Sequence, residues 1–261
     1  MTTTLEQVVA SDDTERTQYT IRRQDYQLAD DSTEIGTLNA AKTEFAIDGQ
    51  EKYALNGGKT DEDGNVTKRG GLTIENENQA VDILGGKEFK NFTTALTNKG
   101  ELHIENTTFV NNDTDLVNSK NTDIINSTLS GKVQNTVDGT LLITNSSIKN
   151  TVTNDGTFVV WGDSSVSNID GNGVLTVGND IVGSEETKLS FDNENGITQT
   201  SVTINHNGNV SVYADKLVTN GVKNDGTLTL KAQTATEEAP ETINNNEISG
   251  EGTTNITGGA I

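Results

Sequence analysis

A nine-residue alternation of apolar and polar positions, Φ-x-N-x-G-x-Φ-x-Φ with Φ apolar, recurs from one end of this chain to the other. Its clearest copy is Val152 to Val160 (VTNDGTFVV). It returns as Leu96 to Ile104 (LTNKGELHI), Ile169 to Val177 (IDGNGVLTV) and Val222 to Leu230 (VKNDGTLTL). Val66 to Ile74 and Ile204 to Val212 depart from it slightly, and Leu116 to Ile124, Asn135 to Ile143 and Ile248 to Ile256 are weaker copies. The N-x-G segment is a corner: glycine accepts positive φ without steric cost, and asparagine tolerates that region while bonding its own backbone. The G-x-Φ-x-Φ segment is a short strand with one buried face, because successive side chains point to opposite sides.

Corner positions fall at Gly70, Gly100, Lys120, Gly139, Gly156, Gly173, Gly208, Gly226 and Gly252. Most steps between them are 17 to 20 residues, which suits one turn of a coil made of short strands and tight corners. The 35-residue step conceals a degenerate coil carrying Leu189 and Phe191, and the 30-residue step a second apolar run, Phe89, Phe92 and Leu96. Stacked in register, each coil adds about 4.8 Å of length. The predicted fold is all-β: a single-stack, right-handed parallel β-helix, the hand following from the usual hand of crossovers. All nine corners should then stand in one column over a slim aliphatic interior holding Leu102, Phe158, Leu175 and Leu228. Asn106, Asn126 and Asn145 recur just after the strand, each followed by Ser or Thr, and could form hydrogen-bonded ladders.

Residues 1–33 fall outside the repeat. Thr17 to Leu28 (TQYTIRRQDYQL) carries alternating apolar residues, with Arg16, Arg22 and Arg23 in or beside it. An open solenoid end would polymerise, so this segment is expected to be an N-terminal cap, with 34–261 forming the β-helix. Thr234 to Asn246, acidic and holding the only proline, is expected to bulge from a coil as a surface loop.

Composition narrows the picture. Only 31% of residues are hydrophobic, as a narrow core requires, and the single proline is what ladder-bonded strands permit. A formal charge of −21 repels nucleic acid and anionic membranes. There is no cysteine to cross-link the coils, and no run long and apolar enough to cross a membrane. The N-terminus lacks the basic start and apolar run of a signal peptide, so either the protein is cytoplasmic or the sequence is a piece cut from a secreted precursor; a start at MTTT and an end in mid-repeat favour the cut.

Candidate chemistry is sparse. Lys59 to Gly64 (KTDEDG), with Asp61 and Asp63, looks like a fragment of a calcium loop but lacks the distal bidentate Glu; a hairpin turn is the alternative. Many parallel β-helices act on polysaccharides, but the four arginines, Arg16, Arg22, Arg23 and Arg69, all precede the regularly spaced coils that begin at Gly100. Asp123 and Glu101 could share an outward face as neighbours in an acidic chain commonly do, and His103 and His206 sit at different offsets. The expectation is therefore a non-catalytic protein without cofactor or bound metal.

Repeat phasing also assigns the outward residues. If Phe158 and Val160 point in, Thr157, Val159 and Trp161 point out. Val159's offset is shared by Thr73, His103, Asp123, Leu142, Thr176, Ser211, Thr229 and Asn255, and Trp161's by Ile125 and Tyr213. Ile125, Leu142, Val159, Trp161 and Val174 should then form an exposed apolar patch, the kind of surface that marks a contact site. The alternative is that Ile181 to Thr187 folds over it, or that Trp161 turns inward.

The phrase Asn224-Asp225-Gly226-Thr227-Leu228-Thr229-Leu230 resembles the passenger domains of bacterial autotransporter adhesins. Phe109-Val110-Asn111-Asn112 and Gly258-Gly259-Ala260-Ile261 are similar to the FxxN and GGA[ILV] repeats of polymorphic outer-membrane adhesins. That resemblance implies export across two membranes, a carboxy-terminal β-barrel elsewhere in the precursor, and a cell-surface fragment. Its partner would be a receptor on host or neighbouring cells, or another copy of itself. A carbohydrate-active β-helix and an inert spacer are the competing expectations.

Overall fold

The structure, a computed structural model, describes residues 88–232 except Val182, together with 247–257 and most of 54–84. Short stretches between 6 and 47 are described as backbone strands alone. Parallel strands stack into a β-solenoid of about eight turns, with one short 3₁₀ turn as the only helix among the described residues. Each turn has three faces. Face one includes Thr94–Asn98, Thr114–Asn118 and Lys132–Asn135, and face two includes Glu101–Glu105, Asn121–Ile125, Thr140–Thr144, Thr157–Trp161 and Val174–Val177. Face three starts with Glu88–Lys90 and Thr108–Val110.

Alternation in the sequence becomes alternation in burial. Leu102, Phe158, Leu175 and Leu228 are all buried, and the first three belong to one continuous ladder. Leu189 and Phe191 are buried in the coil concealed by the long step, as are Phe89, Phe92 and Leu96 in the earlier one. The rings of Phe89 and Phe109 stack at 5.1 Å, and Phe92, Phe158 and Phe191 are buried with them.

The single column of corners is not what forms. Gly100, Lys120, Gly139, Gly156 and Gly173 do stack between faces one and two. The carbonyl of each accepts an N–H at or just before the start of the next strand, from the Asn121 N–H on the Gly100 carbonyl through the Thr200 N–H on the Gly173 carbonyl. Gly208, Gly226 and Gly252 stack instead at the next corner, between faces two and three. Leu72 and Ile74, the end of the Val66 copy, lie on face one rather than face two, beside Leu96 and Asn98. The phrase therefore encodes a corner followed by a strand, and any corner of the triangle can use it. The 35-residue step is one coil plus one side.

The expected asparagine ladder is also relocated. Asn106, Asn126 and Asn145 adopt φ of 53°, 50° and 49°, and their side chains lie exposed without bonding one another. The hydroxyls beside them do the stacking: the Thr107 N–H donates to Ser127 Oγ, the Ser127 N–H to Ser146 Oγ and the Ser146 N–H to Ser164 Oγ, at 3.0 to 3.2 Å. A true carboxamide file runs inside the first corner. Asn98 donates to Asn118, Asn118 to Asn135, Asn135 to Asn154 and Asn154 to Gln199, at 2.6 to 3.0 Å, all buried. There each amide also binds corner carbonyls, which would otherwise be buried without a donor.

Strands Glu6–Val9 and Thr17–Ile21 pair antiparallel, and the second continues in parallel onto Glu44–Ile47. Most of the segment expected to be a cap, the acidic loop Thr234 to Asn246, and Gly258 to Ile261 lie outside the described residues.

Candidate contact surface and cleft

Face two carries the apolar residues picked out by phasing, and it brings all five together. Leu142 and Val159 are register partners, Trp161 lies two residues along the same strand as Val159, and Val174 pairs with Thr157. Ile125 pairs with Thr144, which pairs with Trp161. Four of the five are half-buried, as outward residues on a sheet interior become when coils above and below flank them, and Val174 is 37% exposed. Trp161 follows the fully buried Val160 and keeps the outward side of the alternation.

The described residues of the nearby loop are tied to the second corner instead of this surface: the Asn179 N–H donates to Asn207 Oδ1, and the Asn207 amide donates to Ser184 Oγ and to the Glu185 carbonyl. Ile181 at its tip stays 64% exposed.

Because the corners slip, the neighbours of the patch differ from those phasing names. The ladder through Val159 runs Asp82, His103, Asp123, Leu142, Val159, Thr176, Thr203, Lys223, Ser249. Ser211, Thr229 and Asn255 belong to face three and Thr73 to face one. Tyr213 is likewise on face three, with the Lys231 ammonium 4.5 Å from its ring centroid.

At the lower end of the patch His103 Nδ1 lies 3.4 Å from Asp123 Oδ2 and its Nε2 lies 4.0 Å from Glu105. Asp123 Oδ1 is buried without a hydrogen-bond partner. Glu101 shares the face but pairs with Asn121, so the two carboxylates are diagonal rather than opposed. His206 sits at the second corner against Asp180, 3.0 Å away, remote in register from His103. The Asp180 contact holds the His206 pKa above and, reciprocally, the Asp180 pKa below its ordinary value. Lys59–Thr60 and Val66–Thr67 pair as an antiparallel hairpin, which is the turn alternative for that segment. Asp61 lies outside the described residues, and among those described no group of three His, Cys, Asp or Glu is placed to hold a metal ion.

A second feature escaped the pattern. On face three, Ser165 and Val166 pair downward with Ser147 and Ile148, whereas Thr187–Ser190 pairs only upward with Gly208 to Ser211. No ladder joins the two strands, and a cavity of about 400 Å³ opens at the seam. Its floor is apolar, with Ile148, Val166 and Phe191, and its banks are polar, with serines, Lys149, Asp192 and Asn195. The only warning in the sequence was the 35-residue step, which marks where the coil slips.

Comparison of the chain with family models, curated proteins and solved structures gives no match. Fold and site together define a parallel β-solenoid with an apolar outer patch, and the functional reading rests on that.

Proposed function

We propose that this chain is a non-catalytic adhesive module, a cell-surface rod whose face two meets a receptor or a copy of itself on a neighbouring cell. The observation that carries the reading is the union of Leu142, Val159, Trp161, Ile125 and Val174 on one sheet face of an acidic protein, where the more exposed aliphatics such as Val137 and Val218 stand apart from it. Solvent gains nothing from such a cluster, and covering what remains exposed of each half-buried side chain contributes a fraction of the roughly 1.5 to 3 kcal/mol that full burial would. A stiff rod suits the task because its strands are already ordered and little conformational entropy is lost on contact. Resemblance to autotransporter passengers supports the surface location.

The test is adhesion of beads coated with the chain to cells and to one another. Val159→Ser with Trp161→Ser should lower adhesion by roughly tenfold or more, while Ser211→Ala with Thr229→Ser on face three leaves it unchanged. Equal adhesion by both double variants would remove the patch from the function.

A further inference from the structure

We infer that the seam on face three is a binding site for an uncharged saccharide, separate from the apolar patch and independent of the adhesive reading. The seam is built into the fold. Between Val174–Val177 and Thr187–Ser190 the chain inserts a loop at the second corner, and the strand that follows no longer docks on Ser165 and Val166. An interruption of this kind exposes strand edges, whose backbone N–H and C=O groups have no ladder partner on that side.

Three observations select the ligand. First, free hydrogen-bonding groups surround the cavity. Ser167, Ser190 and Lys149 line it and make no side-chain bond among the described residues. Ser147 accepts a bond from Ser165 at 2.9 Å and keeps its own proton to donate, and Asn195 gives its N–H₂ to Asp192 while its carbonyl oxygen stays open. Such a mixture of donors and acceptors at short spacing matches vicinal hydroxyls, each of which donates and accepts. Second, Ile148, Val166 and Phe191 lie beneath the cleft, each no more than 5% exposed, and give it a narrow apolar base between polar banks. Third, the charge of the cleft is mixed. The N–H groups of Glu194 and Asn195 and the Asn195 amide hold Asp192 below its usual pKa; Lys149 lines the same cleft and the Lys231 ammonium donates to the Phe191 carbonyl beside it. With one carboxylate and two ammonium groups the cleft carries no strong charge of either sign, so a ligand is held by matching of hydroxyls rather than by charge. The volume, near the lower end of the range for small-molecule sites, suits a mono- or disaccharide.

The experiment is a titration of the intact ¹⁵N-labelled chain with galactose, mannose, N-acetylglucosamine, cellobiose and chitobiose, followed by amide chemical shifts. At least one of these sugars should give saturable shifts confined to Ser165 to Ser167 and Ser190 to Asn195, with a dissociation constant in the millimolar range. Ser167→Ala combined with Ser190→Ala should weaken that sugar at least tenfold while the other amide shifts stay in place. Should the double variant lose its fold, Lys149→Gln, at an exposed position, replaces it and should weaken the sugar severalfold. The inference is overturned if none of the sugars shifts these amides at up to about 50 mM, or if the shifts lie elsewhere. It is also overturned if a serine-rich extended peptide shifts them and no sugar does, which would make the seam a strand-addition slot. Bead adhesion is read separately, so loss of either result leaves the other standing.

Discussion

Asp115 is fully buried, and three donors converge on its carboxylate: the Asn112 amide at 2.8 Å, Gly131 N–H at 2.6 Å and the Ser130 N–H. It occupies an irregularity in the ladder, where Thr114 pairs with Lys132 but Leu116 already pairs with Val133. The extra residue turns inward to satisfy the third corner. Burial dominates these donors and pushes its pKa from 3.8 up to about 6. The folded chain then binds more protons here than the unfolded one between those values. Stability from this group is present below about pH 4 and is lost as pH rises through about 6, a total of about 3 kcal/mol. Carboxylates held low by partners, such as the half-buried Asp225 beside Lys223, act in the opposite sense, so the comparison must be with a variant. Urea unfolding of the native chain and of Asp115→Asn from pH 4 to 7 should give stability curves that diverge, the native chain losing ground as pH rises. Parallel curves would mean that the Asp115 carboxyl does not titrate in that window. Asparagine should still be a poor replacement, because its N–H₂ would confront N–H donors and leave one unsatisfied, at roughly 1 to 3 kcal/mol.

At the scale of the element, corner and strand behave as separable units. The alternation fixed which residues face inward, and Leu102, Phe158 and Leu175 fall where it put them. It could not fix which corner a phrase occupies, because Asn and Gly satisfy local backbone geometry that is alike at corners one and two. Gly171 and Gly250 show this: both have strongly positive φ, and a Cβ on either would strike an asparagine carbonyl, Asn154 at one corner and Asn224 at the other. The patch on face two was legible because its five members lie in the regular stretch before the slip. The cleft was not, since a missing ladder is a relation between strands and no single strand records it. Corner packing makes its own prediction. A Cβ at Gly156 would lie 2.2 Å from Gly139.O and 2.4 Å from Thr136.O, both backbone, whereas at Gly221 the nearest atom is 3.6 Å away. Thermal unfolding should therefore show Gly156→Ala losing about 2 kcal/mol or more, and Gly221→Ala staying within about 0.5 kcal/mol of the native chain. Equal losses at both positions would refute the close stacking of the first corner.

For the whole molecule, stability is distributed along an axis and charge is distributed over a rod. Each coil touches only its neighbours, so the core is continuous but never wide, and the carboxamide and hydroxyl files link coils where apolar contact is thin. The charge of −21 acts against any contact between two copies, however favourable the apolar patch. The lower flank of face two, with Asp82, Glu101, Glu105 and Asp123, concentrates that repulsion beside the patch itself. Its range is the Debye length, which falls from about 30 Å at 0.01 M salt to about 8 Å at 0.15 M. Apolar contact is not screened in this way, so the two contributions separate with ionic strength. Bead-to-bead adhesion should be weakest at low salt and rise severalfold toward 0.15 M by this screening argument. Val159→Ser with Trp161→Ser should flatten that rise, because without the patch screening only removes a repulsion and reveals no attraction. Adhesion that instead falls steadily as salt is added would show charge pairing to be the driving force, and the apolar face would then have no part in it.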